Sequence, residues 1–453
     1  MALLRSAVRS RLAPPNFSPS RIVEKLRLLL LPSLLLVLGS PCVRAGDLDA
    51  LQGALDRGQP QEAYGMASKM LDTHEGDAAF DFLYGKSAYQ SGHYHEAMFA
   101  LERAVYGRPE DIRSRYFLAL TYYAMGRLEA ARREFRIVQA NNPPADIAED
   151  SSRHLLSLQK SGQQSSLIAQ AEAFVGHDNN INRATGDHVV NFPQYSLSLL
   201  PDGRQQSDAY RQVGGNIQYY QPLQDDLGVI LKGAVADKDF FSSSDFDESY
   251  YNGSATLSRT QQQDTYRLGA NTQAYQVGGS TYSINRSLET SWYRESSEGQ
   301  GLSAGLSLGE NDYPGQGLFN VNQSALHAGV HRRYGSRFHS LSFMLVDENA
   351  DHGSGDYNAR NSRYWFYDFN MYVDTRNSLQ SRLLYSETWR DGQDPVFSVN
   401  RDDDYLSLLL AWQWRYSASL MAITRLGISD NDSDIKVYEY ERQYIETGVR
   451  YTF

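Results

Sequence analysis

The sequence predicts an α + β multidomain protein: an N-terminal array of paired α-helices, then a transmembrane antiparallel β-barrel of about 14 strands. Three observations carry this. Small residues recur with a period of 34 over the first third of the chain, the rest alternates with period two, and the composition fits neither a soluble nor a disordered chain. Aromatics make up 12% and tyrosines number 31, yet mean hydropathy is only −0.52. A barrel wall that is polar inside, apolar outside and girdled by Tyr and Trp has that composition.

The first element is a leader. Arg21, Lys25 and Arg27 form a basic region, Leu28–Leu38 an apolar core, and small residues offer a cleavage site after Ala45. Residues 1–45 therefore read as a secretory signal peptide, because about eleven apolar residues interrupted by Pro32 are too few to span a bilayer. Pro41 argues against a lipid anchor on Cys42, the only cysteine. Cleavage would leave neither disulfides nor thiol chemistry. It would also remove seven Lys/Arg and one Glu, taking the formal charge from −11 to −17. That balance argues against nucleic acid as a partner.

Residues 46–162 form the second element. Gly85, Gly92, Ala97, Leu101, Ala104 and Pro109 recur as Ala119, Gly126, Ala131, Phe135, Val138 and Pro143, and a weaker earlier copy has Gly58 and Ala63. Period and pattern resemble the tetratricopeptide repeat. Gly85 and Ala97 let antiparallel helices approach closely, while Pro109 and Pro143 stop the second helix of each pair. Residues 146–162 read as a capping helix for the last repeat. His93 and His95 sit in an inter-helix turn, with no further ligand to complete a metal site.

Residues 163–453 form the third element. Fourteen segments, from 167–178 to 439–453, alternate with period two. Leu406, Leu408, Leu410, Trp412, Trp414 and Tyr416 share one face, as do Tyr266, Leu268, Ala270, Thr272 and Ala274. Links alternate in length. Short ones face long loops at 179–209, 239–247, 311–319, 349–358, 391–401 and 431–438, and the short link at 277–280 is the exception. Short turns belong on the periplasmic side and long loops outside. The closing strand, with Tyr451 and Phe453 at its end, resembles the sorting signal read by the barrel-assembly machinery.

The first barrel segment runs into Gly176, His177, Asp178, Asn179, Asn180, Ile181 and Asn182. A leader, a short repeat array and a barrel entered through this run resemble the surface lipoprotein assembly modifier family. There a Gly-aromatic-Asp-polar-Asn-aliphatic-Asn motif marks the end of the first strand; here His177 replaces the aromatic. Exopolysaccharide exporters share the plan. The resemblance implies a translocator that captures a client, a surface lipoprotein or secreted protein, with its repeats.

Asp178, Asn180 and Asn182 have calcium-loop spacing, but Arg183 stands where the turn glycine belongs and Val189 where the bidentate Glu belongs. A rim turn, with Asp and Asn bonded to nearby backbone N–H groups, fits better. A hydrolase would want a Ser–His pair on the outer wall; His327 and His331 face the same side, His339 follows on the next strand and Ser324 and Ser340 are near, but no nucleophile elbow or third partner accompanies them. No phosphate loop is present either. The expectation is a non-enzymatic outer-membrane translocator without cofactor or metal. Its array lies in the periplasm of a Gram-negative bacterium, and its partners are the client, membrane lipid and the assembly machinery. A polysaccharide exporter or porin is the alternative.

Overall fold

The computed structural model describes residues 45–453 except 162–164, 192–195, 225, 296–298, 335, 375 and 418. Residues 1–44, where the leader is expected, lie outside the described residues. Val43–Phe453 form one unit in which array and barrel touch.

Seven helices build the array: α1 (Ala45–Asp56), α2 (Pro60–His74), α3 (Ala78–Gln90), α4 (Tyr94–Gly107), α5 (Ile112–Ala124), α6 (Leu128–Ala140) and α7 (Ala145–Ser161). They pair as three hairpins plus a cap, so the repeat is tetratricopeptide-like. Gly92 and Gly126 take φ of 82° and 71° in the turns within the second and third pairs, a left-handed backbone that favours glycine. Asp77 caps α3 by accepting from Ala79 and Phe80 N–H. Ala97, Ala104, Ala119 and Ala131 are fully buried where helices meet. A Cβ on Gly85 would lie 2.5 Å from Leu101 Cγ, which is why the α3–α4 contact demands glycine there. α4 ends two residues before Pro109, and α6 ends three before Pro143.

The barrel closes with fourteen strands: β1 (Ser166–Asp178), β4 (Asp208–Gln224), β5 (Leu227–Phe240), β6 (Glu248–Gln261), β7 (Asp264–Val277), β8 (Ser280–Glu295), β9 (Gln300–Asp312), β10 (Val321–Tyr334), β11 (Arg337–Ala350), β12 (Arg360–Tyr372), β13 (Asn377–Gln393), β14 (Asn400–Arg415), β15 (Leu420–Ser433) and β16 (Tyr440–Thr452). Every neighbouring pair is antiparallel, and β1 closes on β16 with Gly176 opposite Glu446. Within the long first loop, β2 (Val189–Asn191) and β3 (Ser196–Ser198) pair as a hairpin that the sequence pattern gave no sign of.

One face of the wall is an apolar belt. Leu268, Leu288, Leu308, Leu326 and Leu341 point outward and are 53–64% exposed, an arrangement that needs lipid rather than water around it. The other face is polar: Asn252 lies opposite Gln273, and Ser254 opposite Asn271. Exposed Lys232, Arg267 and Glu289 also lie on that inner face. The short turn Gly278–Gly279 lies at the long-loop end, as the exceptional link required. His327 and His331 share one face of the wall, the lumen face, opposite Gly305 and Gly301. His339 lies on the outer face, where its ring meets Phe369. Ser340 lies opposite His331 across the β10–β11 pair on the lumen face, whereas Ser324 lies on the outer face; the His331 ring is engaged by Tyr293 Oη at 3.0 Å.

Candidate functional site: the barrel seam, its rim and the array contact

The motif at the end of β1 is a stitch between three stretches of chain. Asp178 and Asn180 are fully buried. Asn180 Nδ2 donates to the carbonyls of Ala184 (2.9 Å) and Glu441 (2.8 Å). Asn179 exchanges bonds with Gln443, its N–H donating at 3.0 Å and its Oδ1 accepting at 2.7 Å. Asn182 Nδ2 donates to Arg204 carbonyl (2.7 Å), and Asn182 Oδ1 accepts from Gln206 N–H (3.1 Å). The first loop is thereby tied to β16 and to the residues leading into β4. Ile181 turns inward and packs with Tyr210, Phe240 and Phe246. Arg183 holds φ 49°, the left-handed conformation at a position where a calcium loop uses glycine.

The Asp178 carboxylate is filled by protein cations. Arg442 donates to it at 2.5 and 2.9 Å, and Lys238 Nζ lies 3.6 Å away. Below it, Gly176 admits the Tyr210 ring: a Cβ there would fall 2.6 Å from Tyr210 Cζ and 2.7 Å from Ile445 carbonyl oxygen. Tyr210 Oη donates to Glu446 (2.8 Å), which also accepts from Arg425 (2.7 Å). Arg425 reaches Glu172 at 3.8 Å, and Arg450 donates to Glu172 at 2.9 Å. A ladder of alternating charge thus runs down the inner side of β1, β15 and β16. Buried ion pairs contribute little net stability, but removing one partner strands the other, at about 3–5 kcal/mol.

At the foot of the ladder the barrel meets the array. Arg133 of α6 pairs with Glu295 of β8 at 3.1 Å, and Phe99 of α4 lies 5.4 Å, ring to ring, from Tyr372 of β12. Arg415 of β14 donates to His95 Nε2 at 3.2 Å. These contacts spread over three strand ends on the short-turn side. The array side of these contacts comes from the second helix of the second and third pairs. Burial and the charges of Arg415 and Arg127 hold His95 below the usual imidazole range. The first helices instead carry half-buried aromatics: Phe82 and Tyr89 of α3 pack edge-on against Phe117 of α5 at 6.1 and 5.9 Å, and Lys86 stands over the same ring.

Sequence reading singled out the rim motif and the repeat positions. It missed the ladder and the array contact, whose members are scattered charges that only barrel closure brings together. Tyr451 and Phe453 stack edge-to-face at 4.9 Å on the outer face, and Phe453 N–H donates to Ala169 carbonyl. Among the described residues no cluster of His, Cys, Asp and Glu could hold a metal ion.

A family model described as anaphase-promoting complex, cyclosome, subunit 3 matches residues 56–136, within the array. No curated protein sequence matches the chain. The chain is similar to OmpT, an outer membrane protein of Vibrio cholerae, at 7% identity over 64% of this chain and 97% of that one, with a TM-score of 0.38. For an anion-selective porin from Comamonas acidovorans the values are 9%, 64%, 99% and 0.36. For the type III secretion chaperone SycD of Yersinia enterocolitica, in complex with a peptide of the translocator YopD, they are 13%, 26%, 92% and 0.24.

Proposed function

We propose that this protein is an outer-membrane translocator. Its array, in the periplasm, captures a client polypeptide, and its barrel passes the client to the cell surface without covalent chemistry. The supporting observation is how the array is fixed. Its second helices hold three strand ends on the short-turn side of the barrel, through Arg133–Glu295, Phe99–Tyr372 and His95–Arg415. Its first helices keep Phe82, Lys86, Tyr89 and Phe117 half-buried in a strip of edge-to-face rings. Ring faces with a nearby cation suit an extended peptide, as aromatic anchors dominate peptide recognition. The client class follows the resemblance to surface lipoprotein assembly modifiers: a lipoprotein or secreted protein. Lipid surrounds the apolar belt, and the assembly machinery inserts the barrel.

The polar lumen, with Lys232, Arg267 and Glu289 exposed to it, favours the second reading, a passive channel or polysaccharide exporter. Co-expression separates the two. With a genomically neighbouring lipoprotein or secreted protein in a host lacking both, the intact chain is expected to make that neighbour accessible to surface protease. A variant lacking residues 46–161 is expected to leave it protected. A client that stays periplasmic with the intact chain, while the purified protein conducts sugars across bilayers, would falsify the translocator reading.

A further inference from the structure

A cavity of about 500 Å³ lies where the array meets the foot of the barrel. Its chemistry is one-sided. Arg127, from the turn before α6, and Arg415, from the end of β14, both line it, as does His95. Arg127 Nη1 finds only Met98 Sδ at 3.2 Å, and Arg415 Nη1 finds only the neutral ring of His95. Among the described residues neither guanidinium has a carboxylate partner. Arg450, at the cavity edge, is already matched by Glu172. Two helices begin at the cavity wall, α4 at Tyr94 and α6 at Leu128, and neither has a side-chain cap on its first N–H groups. Two guanidinium groups without an ion-pair partner, beside two helix N-termini without side-chain caps, have the chemistry an anion needs.

We propose that this cavity binds a carboxylate carried by a polypeptide entering the lumen. Position and wall chemistry select that ligand. Arg415, Met421, Arg450 and Thr452 all lie on the lumen side of their strands, so a bilayer lipid does not reach the cavity. Met125, Leu420 and Met421 add an apolar stretch to a wall that also carries Ser417, Ser419 and Thr452. An acidic peptide offers an apolar neighbour for each carboxylate. An acidic sugar chain would draw on the Ser417, Ser419 and Thr452 hydroxyls and the Gln170 amide instead, so an oligouronate is one arm of the test. The identity of the carrier rests on the translocator reading; the anion site itself does not.

The test uses the full chain in detergent and a short fluorescent peptide alternating Asp and Leu, with an Asn–Leu analogue and an oligouronate as comparisons. The acidic peptide is expected to bind, more weakly as salt is added, and the Asn analogue at least about tenfold more weakly. Arg127→Gln and Arg415→Gln are each expected to lose about tenfold in affinity, and Arg415→Lys less, while heat-modifiability reports an intact barrel. Equal affinity for the two peptides, or indifference to the double Gln variant, overturns the site. Tighter binding of the oligouronate than of the peptide overturns the polypeptide assignment. Client display is scored separately on the array-deleted chain. Display that survives there sinks capture by the array, and a client that stays periplasmic with the intact chain sinks the translocator reading whatever the peptide does; peptide indifference at Arg127 and Arg415 sinks the anion site alone.

Discussion

Gly176 shows how much one missing methyl group decides in this wall. The Tyr210 ring lies where a Cβ would be, and its hydroxyl holds Glu446, which in turn holds Arg425. Gly176→Ala must push the ring off that line, and overpacking of this kind costs about 1–3 kcal/mol. The expected outcome is a lower temperature for the heat-modifiability transition, with the β-sheet signal of the folded barrel retained. Tyr210→Phe keeps the ring and loses only the hydroxyl bond, so a smaller shift, about 1 kcal/mol, is expected from it. The two variants moving by equal amounts would mean that the ring position is not what Gly176 protects. The sequence displayed Gly176 as part of a motif, but its reason, a ring from the neighbouring strand, was invisible until β1 and β4 were paired.

Between elements, the fit of α4 to α5 depends on a buried acid. Tyr122 Oη donates to Glu102 at 2.5 Å, and burial raises the Glu102 carboxyl above its ordinary value near 4.5, with Tyr122 and Arg333 opposing the rise. The folded array therefore binds that proton more tightly than the unfolded chain does. Stability falls as pH rises from near 4.5 through the raised value, since the unfolded state gives up its proton first. Glu102→Gln keeps an acceptor for Tyr122 and removes the titration. The helical signal of the full chain at 222 nm, followed through thermal unfolding from pH 4 to 7, is expected to lose that part of its pH dependence in the variant. An unchanged slope would place the titration elsewhere. Legibility at this scale was uneven for a physical reason. Helix pairing at Gly85, Ala97 and Ala131 was readable because packing repeats with the period. Strand ends fell within a few residues of expectation because alternation is local. Glu102, Arg133 and Glu295 break no pattern, so nothing in the sequence marked them.

At the scale of the whole molecule, an even strand number puts both ends of the barrel on the short-turn side, and the array with them. α7 ends at Ser161 and β1 begins at Ser166, so four residues, 162–165, join the two bodies. Fully extended, they reach about 14 Å. The link turns docking into an intramolecular event with an effective concentration in the millimolar range or above. The ion pair it holds is weak: Arg133 is 37% exposed, and such pairs contribute about 0.2–1 kcal/mol. The docked state is then expected to rest on leash length more than on adhesion, so that pulling the array away works against entropy as much as against bonds. Inserting about twenty Gly/Ser residues at 162–165 dilutes the array about its mooring by the −3/2 power of length. A short bismaleimide linker between Phe99→Cys and Tyr372→Cys is expected to join array to barrel efficiently in the original chain and several-fold more slowly in the lengthened one. Equal rates would mean that adhesion, not the leash, keeps the array moored.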